Sequence, residues 1–214
     1  MNPQPNIAIA SADAPQVEAT TAPEAQWRAN TYGLLAALLA QPPGPELLAT
    51  LALIEIPPQS RDEAGIAGAW QLLKLAAQES RVAALDDEYH ALFIGVGCGE
   101  LVPYGSWYLT GFMMDKPLAL LREELRRLGF ERPPQVTEPE DHAATLCEVM
   151  ATVIVSDDIG EASERRFFQE QLAPWMGAFF DDLQEAGSAV FYRAVGRLGA
   201  EFMALEQRYL AMMV

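Results

Sequence analysis

The chain is short of histidine, cysteine and positive charge. It holds two histidines and two cysteines in 214 residues. His90 and His142 lie far apart, and Cys98 and Cys147 form no C-x-x-C pair. Neither a metal framework nor a disulfide scaffold is therefore legible, and buried thiols in a reducing cytosol are expected. Lys and Arg number 14 against 30 Asp and Glu, a formal net charge of −16. Such a field repels nucleic acid and anionic membrane surfaces, and no basic stripe offsets it. A basic partner is the natural complement. No apolar run approaches the ~20 residues that span a bilayer. Residues 1–23 contain no Lys or Arg, and Ile7-Ala8-Ile9-Ala10 is too short for the apolar core of a secretory signal. They read as a disordered tail on a cytoplasmic protein, followed by one helical domain over residues 24–214.

Alternating strand patterns and internal repeats are absent too. Half of the residues are hydrophobic, and they recur at helical spacing. The pattern predicts an all-α fold, a single globular bundle of about nine or ten helices. A first helix over 24–40 carries the stripe Trp27, Thr31, Leu34, Leu35 and Leu38. Ser60 with Glu63 forms a capping box, and Ser80 caps the helix after it. The glycine-rich break from Gly95 to Ser106 lacks the Lys-Ser/Thr of a P-loop and the spacing of a dinucleotide fold, so it reads as a structured loop. Ser106 is expected to cap an apolar helix Trp107–Met114. Asp115 caps the next, closed near Leu128 by Gly129. Arg122, Arg126 and Arg127 alternate with Glu123 and Glu124, as on a solvated face. In the last helix Phe191, Val195, Leu198, Phe202, Leu205, Tyr209 and Met212 form one seam. Gly196 and Gly199 within it imply close packing against a neighbour.

The stretch from Thr137 to Met150 draws most attention. Thr137 and Glu140 have the spacing of a capping box, and Pro139 suits a first helical turn. On a helix beginning there, Glu138, Asp141 and His142 share one face, with Leu146 and Met150 turned inward. A well-capped structural helix would need the same residues. Two stretches free of Lys and Arg suggest more. From Arg81 to Lys116 the charged side chains are Asp86, Asp87, Glu88, Glu100 and Asp115. From Arg132 to Arg165 they include Glu138, Glu140, Asp141 and Glu148. Brought together, they would make an acidic rim beside a groove lined by Trp107, Tyr108 and Phe112. That suits a ligand with a cationic end and an apolar body. An enzyme is the competing class, but His142 lacks third and fourth metal ligands and Ser106 lacks a base.

Three segments together carry a resemblance. They are Leu92-Phe93-Ile94-Gly95-Val96-Gly97-Cys98-Gly99-Glu100, Pro103-Tyr104-Gly105-Ser106-Trp107-Tyr108 and Glu138-Pro139-Glu140-Asp141-His142. With Phe167-Phe168 and Leu172-Ala173-Pro174-Trp175, they resemble the TorD/DmsD family of redox-enzyme maturation chaperones over roughly residues 27–210. Val96 departs from the family, where proline is frequent. The resemblance implies an all-helical, cytoplasmic, non-enzymatic protein with no cofactor or metal of its own. It implies binding of the twin-arginine leader of a molybdenum or tungsten oxidoreductase precursor until the pterin cofactor is inserted. The implied peptide-binding residues are Glu138, Asp141, His142, Tyr104, Ser106, Trp107 and Tyr108, with Glu100 and Phe112 completing the surface. The wording of the loop from Gly99 to Gly111 is most similar to members that accompany formate dehydrogenases. Glycine-rich hinges leave room for helix exchange in a homodimer.

Magnitudes assign the two ends of such a leader different tasks. Burying ~400 Å² of apolar peptide yields roughly 10 kcal/mol gross. Ordering the peptide removes about 2–5 kcal/mol of that. A charge-assisted hydrogen bond adds about 1.5–3 kcal/mol. Aromatics are thus expected to carry affinity and carboxylates to carry selection. The alternative is a general helical adaptor for some other basic amphipathic segment, indifferent to the arginine pair.

Overall fold

The computed structural model describes residues 8–9, 22–56, 65–95, 99–133 and 136–212. The helices are α1 (Pro23–Ala40), α2 (Pro45–Leu53), α3 (Ile66–Glu79), α4 (Val82–Tyr89), α5 (Gly105–Thr110), α6 (Lys116–Arg127), α7 (Ala143–Val155), α8 (Glu161–Phe167), α9 (Met176–Glu185) and α10 (Phe191–Met212). Two short strands, β1 (Ala8–Ile9) and β2 (Phe130–Glu131), pair antiparallel. The fold is all-α, as the periodicity predicts. Most of the expected tail, the Ser60–Glu63 box and Cys98 lie outside the described residues. Contacts divide the chain into two compact units. One holds residues 1–37 with 104–174, the other 38–103 with 175–214.

In the first unit, α6 follows its sequence signals closely. The Asp115 carboxylate accepts from the Lys116 N–H, Pro117 occupies the first turn, and Arg126 and Arg127 stand in the last. Gly129, at φ +83°, ends the segment. The face of α1 departs from expectation toward its N-terminal end. Trp27 is exposed, whereas Arg28 is buried with Thr31, Tyr32 and Leu35. Thr31, Leu35 and Leu38 are buried as the stripe predicts, and Arg28 joins them because its Nη2 lies 2.5 Å from Glu164 Oε1 on α8. The polar face expected of α6 is likewise engaged. Glu124 is buried, bonded to Arg127 and 3.3 Å from Arg166. Cys147 lies buried as a free thiol in α7, and burial pushes it above its ordinary range.

In the second unit, α10 packs on α9 and α3, and α2 on α3. A Cβ on Gly199 would enter the Phe180 ring, and one on Gly196 would stand 2.8 Å from the Phe180 carbonyl oxygen. These glycines permit the close approach that their positions implied. The buried seam of α10 holds through Phe202 and then turns to Met203, Glu206 and Leu210, leaving Met212 exposed. Ser80 ends α3 instead of capping α4, its hydroxyl donating to the Ala76 carbonyl. Glu88 caps α10 from a distance: Val190, Phe191 and Tyr192 all donate backbone N–H groups to its carboxylate. After α4 and after α8 the helix widens into one π-turn each, with Gly95 N–H donating to His90 O and Ala173 N–H to Phe168 O.

Candidate functional site

The Thr137–Glu140 box does not start a helix. Residues 136–142 are loop, and α7 begins at Ala143 with His142 as N-cap. The Ala144 N–H donates to His142 Nδ1 at 3.1 Å. A backbone N–H can only donate, so the neutral ring carries its proton on Nε2. Burial pushes the imidazole below its ordinary value, against the pull of Glu138 and Asp141. Glu140 is drawn away from the expected cap by Arg122, which approaches its Oε2 at 2.8 and 3.0 Å, and by Arg132 at 3.5 Å. Burial acts to raise its carboxyl, but the Arg122 hydrogen bonds and both positive charges outweigh that and hold it below the usual range.

This loop seats the start of α5. Tyr104 and His142 form an isolated antiparallel bridge, and their rings meet edge-on at 4.9 Å. Gly105 N–H donates to the Asp141 carbonyl at 2.9 Å, and Ser106 N–H to Asp141 Oδ2 at 2.8 Å. Asp141 thus satisfies two of the unpaired N–H groups at the head of α5. Tyr104, not Ser106, is the N-cap residue. The Tyr104 hydroxyl donates to Glu138 Oε1 at 2.8 Å. Ser106 Oγ accepts from the Met114 N–H, folding the turn after α5 back on its first residues. That turn has Gly111 at φ +77° and Met114 at φ +58°. The apolar helix expected to reach Met114 therefore ends at Thr110.

The structure separates the expected peptide-binding residues into groups. Ser106, Asp141 and His142 are buried, the last two at 3% and 5% exposure. Trp107 and Phe112 are exposed, at 43% and 71%, beside exposed Leu109, Met113 and Met114. Tyr104 and Tyr108 are half-buried. Glu138 is the outward carboxylate of its stretch, with 40% of its side chain exposed. Glu100 does not join them. It belongs to the second unit, where its carboxylate accepts from the N–H groups of Gly187 and Ser188. These bonds, with one to the Ser188 side chain, hold its pKa below the usual carboxylate range. Of the carboxylates in Glu138–His142, only Glu138 thus faces outward, because Glu140 and Asp141 face inward. Arg122 and Arg132 were missed as organisers of this loop. The sequence signal for them was the cluster of Arg122, Arg126, Arg127 and Arg132 around Phe130 in an otherwise acidic chain. Among the described residues, no cluster of three or more His, Cys, Asp or Glu could hold a metal, and no helix is long and apolar enough to cross a membrane.

Comparison with known proteins shows the family of the chain. The family model described as nitrate reductase delta subunit matches residues 59–181. Chaperone protein TorD of Aliivibrio fischeri is 30% identical over 152 residues, covering 64% of this chain and 71% of the relative. The chain belongs to the TorD family of redox-enzyme maturation chaperones. TorD of Vibrio atlanticus is 25% identical over 151 residues, covering 65% and 70%. A crystal structure of an Archaeoglobus fulgidus protein assigned to redox enzyme maturation shares the TorD-like fold. Its TM-score is 0.54 at 18% identity, covering 89% of this chain and 99% of that one. In this TorD-family chain the matched region takes in both the α5 start and the Glu138–His142 loop.

Proposed function

We propose that this chain is a cytoplasmic chaperone that binds the twin-arginine leader of a molybdenum or tungsten oxidoreductase precursor and retains it until the pterin cofactor is inserted. The observation that supports the reading best is the joint between Tyr104-Gly105-Ser106 and Asp141-His142. It ties an exposed aromatic and methionine strip to an exposed carboxylate. Apolar leader segments gain affinity from the first, and a guanidinium gains a charge-assisted partner in the second. A formate dehydrogenase precursor is the proposed client, from the wording of the Gly99–Gly111 loop. The relatives' names as chaperones favour binding over catalysis.

Purification of the tagged full-length chain from its native host, with partners identified by mass spectrometry, tests this. One large oxidoreductase precursor that still carries its twin-arginine leader is the expected partner. Recovery of mature, leaderless proteins alone would overturn the reading in favour of a general adaptor.

A further inference from the structure

We infer that Glu138 is the residue that reads arginine in the leader, and that Asp141 and His142 are positioning residues that never touch it. The inference rests on the function proposed above and divides labour within that site. The stretch Glu138-Pro139-Glu140-Asp141-His142 offers three carboxylates, and burial with bonding sorts them. Glu140 is held by Arg122 and Arg132 and is buried. Asp141 lies beneath the surface, its Oδ2 and carbonyl oxygen committed to the N–H groups of Ser106 and Gly105. His142 uses Nδ1 to cap α7, and its Nε2 stands 3.8 Å from Glu138 Oε1. Glu138 accepts from Tyr104 through Oε1, while Oε2 has no hydrogen-bond partner among the described residues. The Tyr104 hydroxyl thus orients a carboxylate that retains an open oxygen, with His142 beside it. A guanidinium approaches a carboxylate through a planar fork of N–H donors, and an ammonium cannot reproduce that fork. Glu138 therefore distinguishes arginine from lysine, and the buried pair sets where it stands relative to α5.

The rival within the same site is Asp141 Oδ1, a buried acceptor with no hydrogen-bond partner among the described residues. Were the loop to open, it could take the guanidinium instead. The two assignments separate in one experiment on the full-length protein. The probes are two synthetic peptides, one with an Arg-Arg pair before an apolar stretch of roughly 7–15 residues, the other with Lys-Lys in its place. Calorimetry gives the ratio of their dissociation constants. Wild type is expected to favour Arg-Arg about tenfold. Glu138→Gln should bring that ratio close to one by weakening the Arg-Arg peptide far more than the Lys-Lys peptide, which loses only its point-charge attraction. Asp141→Asn should weaken both peptides alike, keep the ratio, and raise amide exchange over residues 105–114. A Glu138→Gln protein that keeps the tenfold preference overturns the inference. So does an Asp141→Asn protein that loses the preference with α5 still protected. Wild-type protein that binds neither peptide, or both equally, overturns the function on which this rests, and the inference with it.

Discussion

Carboxylates close backbone structure in both units, but to different degrees. In the second unit Glu88 and Glu100 use both oxygens: Glu88 takes the first N–H groups of α10, and Glu100 those of Gly187 and Ser188. In the first unit Asp141 caps α5 through Oδ2 alone, and Glu138 is engaged through Oε1 alone. The helices they serve differ as well. α10 runs 22 residues with a buried seam, whereas α5 has six residues and leads into a turn of exposed Phe112, Met113 and Met114. A carboxylate with both oxygens occupied is finished structure. One with an oxygen left over, beside exposed aromatics, is a place that still accepts a donor.

The largest expected effect belongs to the buried ion pair of the first unit, a carboxylate that closes side-chain and not backbone structure. Arg28→Ala strands Glu164 and is expected to cost about 3–5 kcal/mol in urea unfolding. A loss under ~1 kcal/mol would mean the pair is solvated. Next comes Glu88→Ala, which frees three N–H groups at the head of α10 and should cost about 1–2 kcal/mol. The contrast between units fails if that variant unfolds at the wild-type urea midpoint. A smaller effect concerns pH. His142 titrates below its ordinary value in the folded chain, so between about pH 6.5 and that lowered value the unfolded state binds the extra proton. Stability is then unaffected by His142 above about pH 6.5 and falls as the pH is lowered from there toward the depressed folded value. His142→Asn, which can still cap α7, should abolish that part of the slope. An unchanged slope in the variant would show that the imidazole is not held neutral. The smallest expected effect is that of Glu138→Gln, within about 0.5 kcal/mol of wild type, as for surface changes generally. A large loss would place Glu138 among the finished carboxylates and remove it from the site.

These contrasts also explain what the sequence could and could not convey. α6 was legible at both ends because Asp115 and Gly129 act on their immediate neighbours. Gly196 and Gly199 were legible because a glycine in a helical seam has few other reasons to be there. The start of α7 was misread because Thr137 and Glu140 have capping-box spacing, while the residues that claim Glu140, Arg122 and Arg132, come from elsewhere in the chain. The burial of Arg28 beside the expected stripe of α1 was missed for the same reason, since Arg28 and Glu164 stand 136 positions apart. Apolar periodicity counts only side chains that need no partner. Of the segments singled out in the sequence, Tyr104–Ser106 and Asp141–His142 do meet. Their polarity was inverted: the residues expected at the surface include three that lie beneath it.

The two π-turns bear on how this chain tolerates change in length. Each closes a wider loop of backbone by holding one residue more than an α-turn would. Removing a single residue from His90–Ile94 or Phe168–Leu172 would let the segment close as an ordinary α-turn, because the widened backbone already holds the surplus residue. Each turn is therefore a place where the chain absorbs one amino acid within the helix itself, so that loss of a residue there narrows a turn instead of shifting the register of its neighbours.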